Sequence, residues 1–400
     1  MQLVEQHIIK KSHKYYKELD GLCFLSKNLY NVANYYIRQE FIKSSNYLNF
    51  YKLDKLLNSE SIDYKQLPAK VSQQTLKQLD IAWKSFFQAM KEYKKNPQKF
   101  SGRPKLPKYK DKVKGRSVVT YTIQAISKKE LKKGIVKLSK TNIHFKTRVP
   151  VESINQVRVV PKPNSIIVIE VVYTKQEKEI TQNRNVLGID LGVNNLATCV
   201  NNINTNKFIV NGRPLKSMNA YYNKKKAKLM SYVGGRGNSK KIERLTNKRN
   251  NKVKNYMHKA SKYIINYCLT NNISTVVIGH NKEWKQGVNI GKRNNQNFVS
   301  IPFNTLINQL KYKGMLQGIS IIETEESYTS KCSFVMSESL EHHEHYLGVR
   351  RCRGLYMSNS TCYNADVNGA LNMIRKVIPT FSVANYGIQG VVVHPVKVTL

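Results

Sequence analysis

Two aspartates stand where the sequence pattern could bring carboxylates together. Asp190 lies in VLGIDLGV (residues 186–193), in which an apolar, strand-like run carries an acid. Asp366 lies in NADVNGA (residues 364–370), which is predicted to open a helix. Carboxylates can hold divalent cations, and a pair of such cations can activate a water molecule and stabilise the leaving oxygen of a phosphodiester. Asp190 alone is also consistent with an acid that merely caps a turn.

The order of elements in the C-terminal half predicts one sheet that positions these acids. Apolar runs at 186–191, 195–200 and 208–210 predict three strands joined by short polar turns. The later pattern predicts a helical region at 216–262, a strand at 274–278, a helix at 303–317, a strand at 319–323 and a helix from 364 to about 377. This order is that of a ribonuclease H-like fold. Such a fold clamps two metals ~4 Å apart with acids on the first strand, near the fourth strand and on the last helix.

The N-terminal half predicts two further parts. Apolar residues at three- and four-residue steps between 22 and 37, and again between 76 and 93, predict a helical module over about 11–100. Short segments rich in Val, Ile, Tyr and Thr between 117 and 174, with the strand-like residues 2–9, predict a small barrel or sandwich. The predicted fold class is therefore α+β and multidomain.

The charge of the chain indicates a nucleic-acid partner. The 400 residues include 67 Lys and Arg against 25 Asp and Glu, which gives a formal net charge of +42. The positive electrostatic field of such a chain attracts polyanions. Cations interspersed with 24 Tyr and 12 Phe suit phosphate contact and base stacking. No apolar run reaches the ~20 residues that span a bilayer, and the first residues do not resemble a signal peptide. We therefore expect a cytoplasmic protein without a membrane partner.

A second candidate site follows the helical module. The segment FSGRPKLPKYKDKVKGRS (residues 100–117) contains seven Lys or Arg and one acid between residues 103 and 116. Proline excludes a helix there, and cations on an extended strand can follow a phosphate backbone without reading bases. We predict that Arg103, Lys105, Lys108 and Lys110 contact nucleic-acid backbone. The alternative is a solvated linker.

Several motifs give the chain a family resemblance. GIDLG (188–192), HKAS (258–261), SYTSK (327–331) and NADVNGA resemble, in order and spacing, the OrfB/TnpB transposon-encoded nucleases, which are relatives of the type V CRISPR effectors. GRPKLPKYK (102–110) extends the resemblance to nearly the whole chain. GIDLG alone also occurs in actin-like phosphotransferases. We set that activity aside because no second Gly-rich phosphate loop is evident and the net charge suits no small substrate.

The resemblance implies a division into domains and a set of partners. A wedge β-barrel domain would comprise residues 1–10 and 101–180, and a helical recognition lobe would comprise residues 11–100. A RuvC nuclease domain would comprise residues 181–380, with a degenerate zinc-finger insert at 331–363. The C-terminal tail would be residues 381–400. The partners would be a guide RNA from the transposon end and a double-stranded DNA target with a short adjacent motif. The cofactor would be Mg²⁺ or Mn²⁺, and the protein would act in the prokaryotic cytoplasm, at the nucleoid.

The chain departs from the family pattern at one acid. The family usually carries Glu after the fourth strand, where TVVIGHNKEW (275–284) places Gly279, His280 and Asn281. We predict that the missing carboxylate comes from the end of the fifth strand, since that strand lies beside the fourth in such a sheet.

Glu325 and Glu326 are the candidates for this relocated acid, and Glu323 is a less suitable one. The predicted catalytic and metal-binding residues are therefore Asp190 and Asp366 with Glu325 or Glu326. The alternative is that these glutamates only balance nearby lysines.

The insert departs from the family pattern as well. The family usually has two CxxC pairs there, whereas this insert has only Cys332, Cys352 and Cys362, with no such pair. A closed structural zinc site needs four ligands at tetrahedral geometry, so we predict no zinc. A histidine of HHEH (residues 342–345) could add a ligand, but such a polar loop is more often solvated.

Two functions follow from these observations. The favoured prediction is an RNA-guided, divalent-metal-dependent DNA endonuclease. The alternative is a nuclease-inactive, RNA-guided DNA-binding protein that acts as a repressor. The presence of both Asp190 and Asp366 favours the enzyme, because a binding protein has no chemical need for either acid.

Overall fold

The computed structural model describes residues 1–235, 237–281, 291–352 and 354–400. The chain divides into two compact units, Met1–Lys175 and Gln176–Leu400. Among the described residues, no helix is both long and apolar enough to cross a membrane.

The helices of the first unit bury the apolar positions that the periodicity predicted. They are α1 (Tyr16–Ser44), α2 (Phe50–Glu60), α3 (Ile62–Lys65) and α4 (Ala69–Lys95). Leu29 and Ile37 of α1 and Trp83 of α4 are fully buried. Trp83 also donates a hydrogen bond of 3.0 Å from Nε1 to Oδ1 of the buried Asn34 on α1. The aromatic residue is therefore core, and a matched polar pair joins the two long helices.

The strands of the first unit form an open sheet. They are β1 (Gln2–Lys10), β2 (Val119–Thr122), β3 (Ile135–Lys137), β4 (His144–Lys146), β5 (Ile154–Lys162) and β6 (Ile166–Thr174), with the short helix α5 (Lys128–Leu131) between β2 and β3. The antiparallel order is β1-β6-β5-β2, and β3 pairs only with β4. The N-terminal strand joins this sheet, as predicted.

No closed barrel forms within residues 1–175, so the prediction of a barrel is corrected to an open sheet. The reason lies at one edge. β2 is four residues long and gives way at Ile123 to a 3₁₀ turn, which leaves too short an edge for closure.

The sheet of the second unit has the order β11-β10-β7-β8-β9-β15. Its strands are β7 (Val186–Leu191), β8 (Asn195–Asn201), β9 (Phe208–Asn211), β10 (Thr275–Gly279), β11 (Ser320–Thr324) and β15 (Val396–Val398). β7, β8 and β9 form an antiparallel meander, and β10 runs parallel to both β7 and β11. The meander and the adjacency of β10 and β11 agree with the sequence prediction. β15 is an addition from the predicted tail.

Helices and a small second sheet complete this unit. The helices are α6 (Arg213–Ser231), α7 (Lys240–Thr270), α8 (Lys292–Val299), α9 (Phe303–Met315), α10 (Ala365–Val377), α11 (Val383–Tyr386) and α12 (Ile388–Val392). The insert forms an antiparallel sheet of β12 (Gly348–Cys352), β13 (Leu355–Ser358) and β14 (Thr361–Asn364), which leads directly into α10. A side chain at Gly188 of β7 would overlap the carbonyl oxygen of Ala370, so this glycine lets α10 approach the sheet closely.

Candidate active site

Asp190 is held between the first strand of the sheet and the last long helix. It is the fifth residue of β7 and is half-buried. A Cβ atom placed on Gly369 of α10 would lie 3.2 Å from Oδ2 of Asp190. The carboxylate therefore lies against the backbone of the first turns of α10, where a larger side chain would crowd it.

Asp366 lies in the first turn of α10, and three polar residues position it. The side chain of Asn364 caps the helix by accepting hydrogen bonds from the backbone N–H groups of Asp366 (2.9 Å) and Val367 (3.2 Å). Asn195 Nδ2 donates to Oδ2 of Asp366 at 2.7 Å, and Arg350 Nη2 lies 3.2 Å from Oδ1. Both carboxylate oxygens are thus engaged, one from β8 and one from the insert.

Glu326 occupies the space beside Gly279 at the end of β10. A Cβ atom on Gly279 would lie 2.7 Å from Cγ and 3.0 Å from Oε1 of Glu326. The backbone N–H of Glu326 donates to Oδ1 of Asn281 at 2.9 Å. Among the described residues, its buried Oε1 has no hydrogen-bond partner. The carboxylate from the fifth strand therefore reaches the end of the fourth.

Asp190, Glu326 and Asp366 are electrostatically coupled, and we call them the acidic cluster. Burial raises the pKa of Asp190 well above its usual range, and the negative charges of Asp366 and Glu326 raise it further, while Arg350 opposes them. Burial also raises the pKa of Glu326 to about 7, against the opposing charge of Lys376. Buried like charges are costly in this arrangement, which is the condition that a bound cation relieves.

The other two glutamates of this strand end lie outside the acidic cluster. Glu325 is exposed and accepts a hydrogen bond from Oγ of Ser327. Glu323 pairs with Nδ1 of His280 at 2.9 Å and with Lys311. The structure thus brings Glu326, and not Glu325, to Asp190 and Asp366. The last three residues of TVVIGHNKEW, 282–284, lie outside the described residues.

The acidic cluster has the chemistry of a site for a hard divalent cation. Mg²⁺ and Mn²⁺ prefer carboxylate oxygens, and an unpartnered, buried carboxylate oxygen on Glu326 fits that preference. In the described part of the chain, however, no three His, Cys, Asp or Glu side chains are arranged as a ready metal site. Asn195 and Arg350 contact the two carboxylate oxygens of Asp366 instead.

The segment predicted to contact nucleic acid runs along α1 without helix or strand structure of its own. A polar row on α1 binds its carbonyl oxygens. Lys27 Nζ donates to the oxygen of Lys112 at 2.7 Å, Asn31 Nδ2 to that of Lys110 at 2.9 Å, and Asn34 Nδ2 to that of Pro107 at 3.0 Å. Arg38 Nη1 donates to the oxygen of Pro107 as well, at 3.3 Å. We call this row the α1 ladder.

The four cations predicted there differ in their surroundings. Arg103, Lys105 and Lys108 are exposed, whereas Lys110 is half-buried with its ammonium 4.9 Å from the centre of the Tyr30 ring. Burial lowers the pKa of Lys110. Three of the four side chains are therefore free to meet a phosphate backbone, and the fourth packs on α1.

A buried carboxylate organises the insert between its cysteines. Glu338 accepts hydrogen bonds from the backbone N–H groups of Ser333 (2.6 Å) and Leu347 (2.9 Å), and it is 5 % exposed. Cys332 is buried, while Cys352 and Cys362 are exposed, and all three are free thiols. Hydrogen bonds to a carboxylate thus tie the two ends of this loop together. The absence of zinc stays a prediction.

Sequence reasoning missed three residues around the acidic cluster. Asn195 and Arg350 contact Asp366 from 171 and 16 residues away, and no local pattern marks such contacts. Asn281 could have been found, because it follows β10 directly at the place where an acid was expected.

Two family models match parts of the chain. Residues 167–285 match OrfB_IS605, described as a probable transposase, and residues 303–373 match the Cas12f1-like TNB domain. No curated protein matches the chain. The two matched regions together contain β7 with Asp190, and also Glu326 and Asp366.

Solved structures were compared as well. A cryo-EM structure of a Cas12f1–sgRNA–target DNA complex matches with a TM-score of 0.52 and 16 % identity, over 90 % of this chain and 82 % of that chain. A CRISPR-Cas12f ternary complex matches with a TM-score of 0.37 and 15 % identity, over 90 % and 81 %. CasPhi-2 (Cas12j) bound to crRNA and phosphorothioate DNA matches with a TM-score of 0.33 and 10 % identity, over 65 % and 59 %.

The first of these structures shows that the chain has a mixed α+β fold like that of Cas12f1. Together with the two family matches, which cover parts of the chain, this similarity of fold supports the resemblance to the OrfB/TnpB nucleases and to the type V effectors.

Proposed function

We propose that this protein is a transposon-encoded, RNA-guided DNA endonuclease whose acidic cluster cuts phosphodiester bonds with the help of Mg²⁺ or Mn²⁺. The observation that carries the proposal is the position of Glu326 against Gly279. It supplies a third carboxylate to Asp190 and Asp366 where the chain lacks the acid usual in the family. A protein that only bound DNA would gain nothing from holding the half-buried Asp190 beside two further carboxylates that raise its pKa.

Some residues of this site would hold the cation, and others position the carboxylates. Asp190, Glu326 and Asp366 would hold the divalent cation, which when bound supplies Lewis-acid activation of water and of the leaving oxygen. Asn195 orients Asp366, and Asn281 fixes the backbone of Glu326. Because Asn195 begins β8 and Asn281 closely follows β10, these two partners are themselves positioned by strand ends of the sheet.

Guide RNA and double-stranded target DNA are the proposed partners. The net charge of +42 is large enough to neutralise many phosphates, and the Cas12f1 structure with a similar fold is a complex with an sgRNA and target DNA. In such a protein, base pairing would read the target while the protein holds backbones and a short adjacent motif. Affinity should then fall steeply with salt, because counterions are released on binding.

The proposal is tested by cleavage of a guided DNA target in Mg²⁺ or Mn²⁺ by the wild type and by Asp190→Ala, Asp366→Ala, Glu326→Ala and Glu325→Ala. We expect each of the first three substitutions to abolish cleavage, a larger effect than the ~10- to 100-fold losses typical of residues behind the ligands. Glu325→Ala is the matched control, because it removes a neighbouring carboxylate outside the acidic cluster. Guided binding should persist in all four variants.

Two results would contradict the proposal. A wild type that binds its guided target but never cuts would make the protein the guided DNA-binding alternative. Cleavage that is retained in Glu326→Ala and lost in Glu325→Ala would show that the third carboxylate is Glu325 and not Glu326. No observation in the structure favours the binding-only alternative at present.

A further inference from the structure

A cleft of about 480 Å³ lies between α1, α4 and the segment after the helical module. Its floor is apolar and consists of Phe41, Phe86, Met90 and Leu106, all of them half-buried. The volume lies within the ~300–1,000 Å³ range of small-molecule sites and is ample for one nucleobase with its sugar. We call this feature the basic cleft because of its rim.

The rim of the basic cleft carries four cations, Arg38, Arg103, Lys105 and Lys108, and no acidic residue lines the cleft. The side chains of Arg103, Lys105 and Lys108 make no hydrogen bond or salt bridge within the described residues. Arg38 is held in place by the oxygen of Pro107. An apolar floor surrounded by uncompensated positive charge is complementary to a flat apolar group carrying phosphates on either side.

We propose that the basic cleft receives one unstacked nucleobase of a nucleic-acid strand. The base lies on Phe86, Met90 and Leu106, and its flanking phosphates lie on Arg103, Lys105 and Lys108. This inference rests on the proposed function, since it takes nucleic acid as the partner, and it adds a place where the protein holds a base rather than the backbone alone. Phosphate contacts by themselves need no apolar floor, whereas stacking on aromatic and apolar side chains is how proteins hold bases without reading their sequence.

The experiment compares two strands of equal charge. Full-length protein is titrated into a labelled strand of eight thymidines and into an eight-unit abasic strand with the same number of phosphates, and a uridine RNA strand forms a parallel arm. For the wild type we expect the thymidine or the uridine strand to bind about 5- to 150-fold more tightly than the abasic strand, which corresponds to the ~1–3 kcal/mol of stacking one base.

Two variants, called the floor variants, alter the floor of the basic cleft without changing charge: one replaces two apolar side chains by polar ones, and the other removes an aromatic ring. In Met90→Gln with Leu106→Gln, and separately in Phe86→Leu, the advantage of the base-containing strand should fall to less than ~3-fold, while abasic affinity stays unchanged. Ile62→Gln, an exposed apolar residue of α3 outside the cleft, is the matched control and should behave as the wild type. Melting curves confirm that each variant is folded, and the two variants are read together.

The outcomes separate this inference from the proposed function. Equal wild-type affinity for the base-containing and abasic strands would overturn the basic cleft and leave nucleic-acid binding intact. A base preference that survives in both floor variants would also overturn it, because the base would then lie elsewhere. A protein that binds neither strand, and no guide RNA, at any salt concentration would overturn the proposed function and the cleft together.

Discussion

A Cβ atom on Gly279 would lie 2.7 Å from Cγ of Glu326, so the glycine at the end of β10 and the glutamate after β11 fit only together. The family usually places its glutamate on the strand that here ends in Gly279. In this chain the carboxylate beside that strand end is Glu326, from the end of the neighbouring strand, and the absent side chain of Gly279 leaves the space that it fills. Under the proposed function, the two residues would act as one exchanged position.

Gly279→Ala should reduce guided cleavage strongly, because the new methyl group would meet Glu326 and also Cε of Met373 at 2.5 Å. Gly279→Glu combined with Glu326→Ala should recover part of the activity by returning the carboxylate to the strand that usually carries it. The measurement is the rate at which a guided target is cleaved by Gly279→Ala, Gly279→Glu, Glu326→Ala and the double variant.

The double variant carries its own control, since each single change alone is expected to be inactive. A double variant no more active than Glu326→Ala would show that the two positions are not interchangeable. Full activity in Gly279→Ala would show that Glu326 needs no such space.

Arg350 pairs with an oxygen of Asp366 that a bound cation would need. Its guanidinium lies 3.2 Å from Oδ1, and the side chain is half exposed, so the pair contributes roughly 0.2–1 kcal/mol. Arg350→Met should therefore tighten Mn²⁺ binding by about 1.5- to 5-fold, measured by calorimetry without nucleic acid. Arg351→Met, an exposed neighbour, should leave the affinity unchanged. Weaker Mn²⁺ binding in Arg350→Met would mean that the arginine supports the site instead.

The loop of the insert should not depend on metal. Glu338→Ala would leave the N–H groups of Ser333 and Leu347 without their carboxylate, at a cost of about 1–3 kcal/mol for the buried group of Ser333. Hydrogen exchange at these two amides should become faster in Glu338→Ala and stay unchanged in Glu341→Ala, which alters an exposed residue. A chelator should leave exchange in the wild type unchanged.

This prediction would be contradicted by stoichiometric zinc in protein purified without added metal, if that zinc were lost in Cys332→Ser. It would assign the buried thiol to a metal rather than to the core of the insert.

Lys207 should make stability depend on pH. Its buried ammonium donates hydrogen bonds to the carbonyl oxygens of Gly390 and Val391, and burial lowers its pKa from 10.5 to about 8. Between pH 8 and 10.5 the unfolded chain binds more protons at this site than the folded chain, so its contribution to stability rises with pH across that window. The total change is on the order of 3 kcal/mol.

The check is the free energy of unfolding of the wild type minus that of Lys207→Met, measured from pH 7 to pH 10.5. Taking the difference removes the cysteines and tyrosines that titrate in the same range. We expect the difference to move in favour of the wild type as the pH rises. A constant difference would show that the ammonium is solvated.

The sequence predicted most of what positions Asp190 and Asp366, because both lie at the ends of elements with clear periodicity. It could not choose between Glu325 and Glu326. β11 ends at Thr324, and beyond a strand the alternation of faces no longer applies. Asn195 and Arg350 reach Asp366 only through the tertiary fold. Strand content predicted a small barrel or sandwich, and the family resemblance implied a β-barrel; neither reports the length of the edge at β2.

The α1 ladder has a consequence for the cost of ordering the chain. Ordering the backbone of one residue costs about 1–2 kcal/mol of conformational entropy, and a flexible linker would lose this entropy each time it bound a partner. Here Lys27, Asn31 and Asn34 fix the carbonyl groups between Pro107 and Lys112 when the unit folds. The entropy is lost once, during folding, so the neighbouring cations meet phosphates from a backbone that is already set. A substitution in the α1 ladder would then weaken nucleic-acid binding without changing any of these cations, because the backbone between Pro107 and Lys112 would become less ordered.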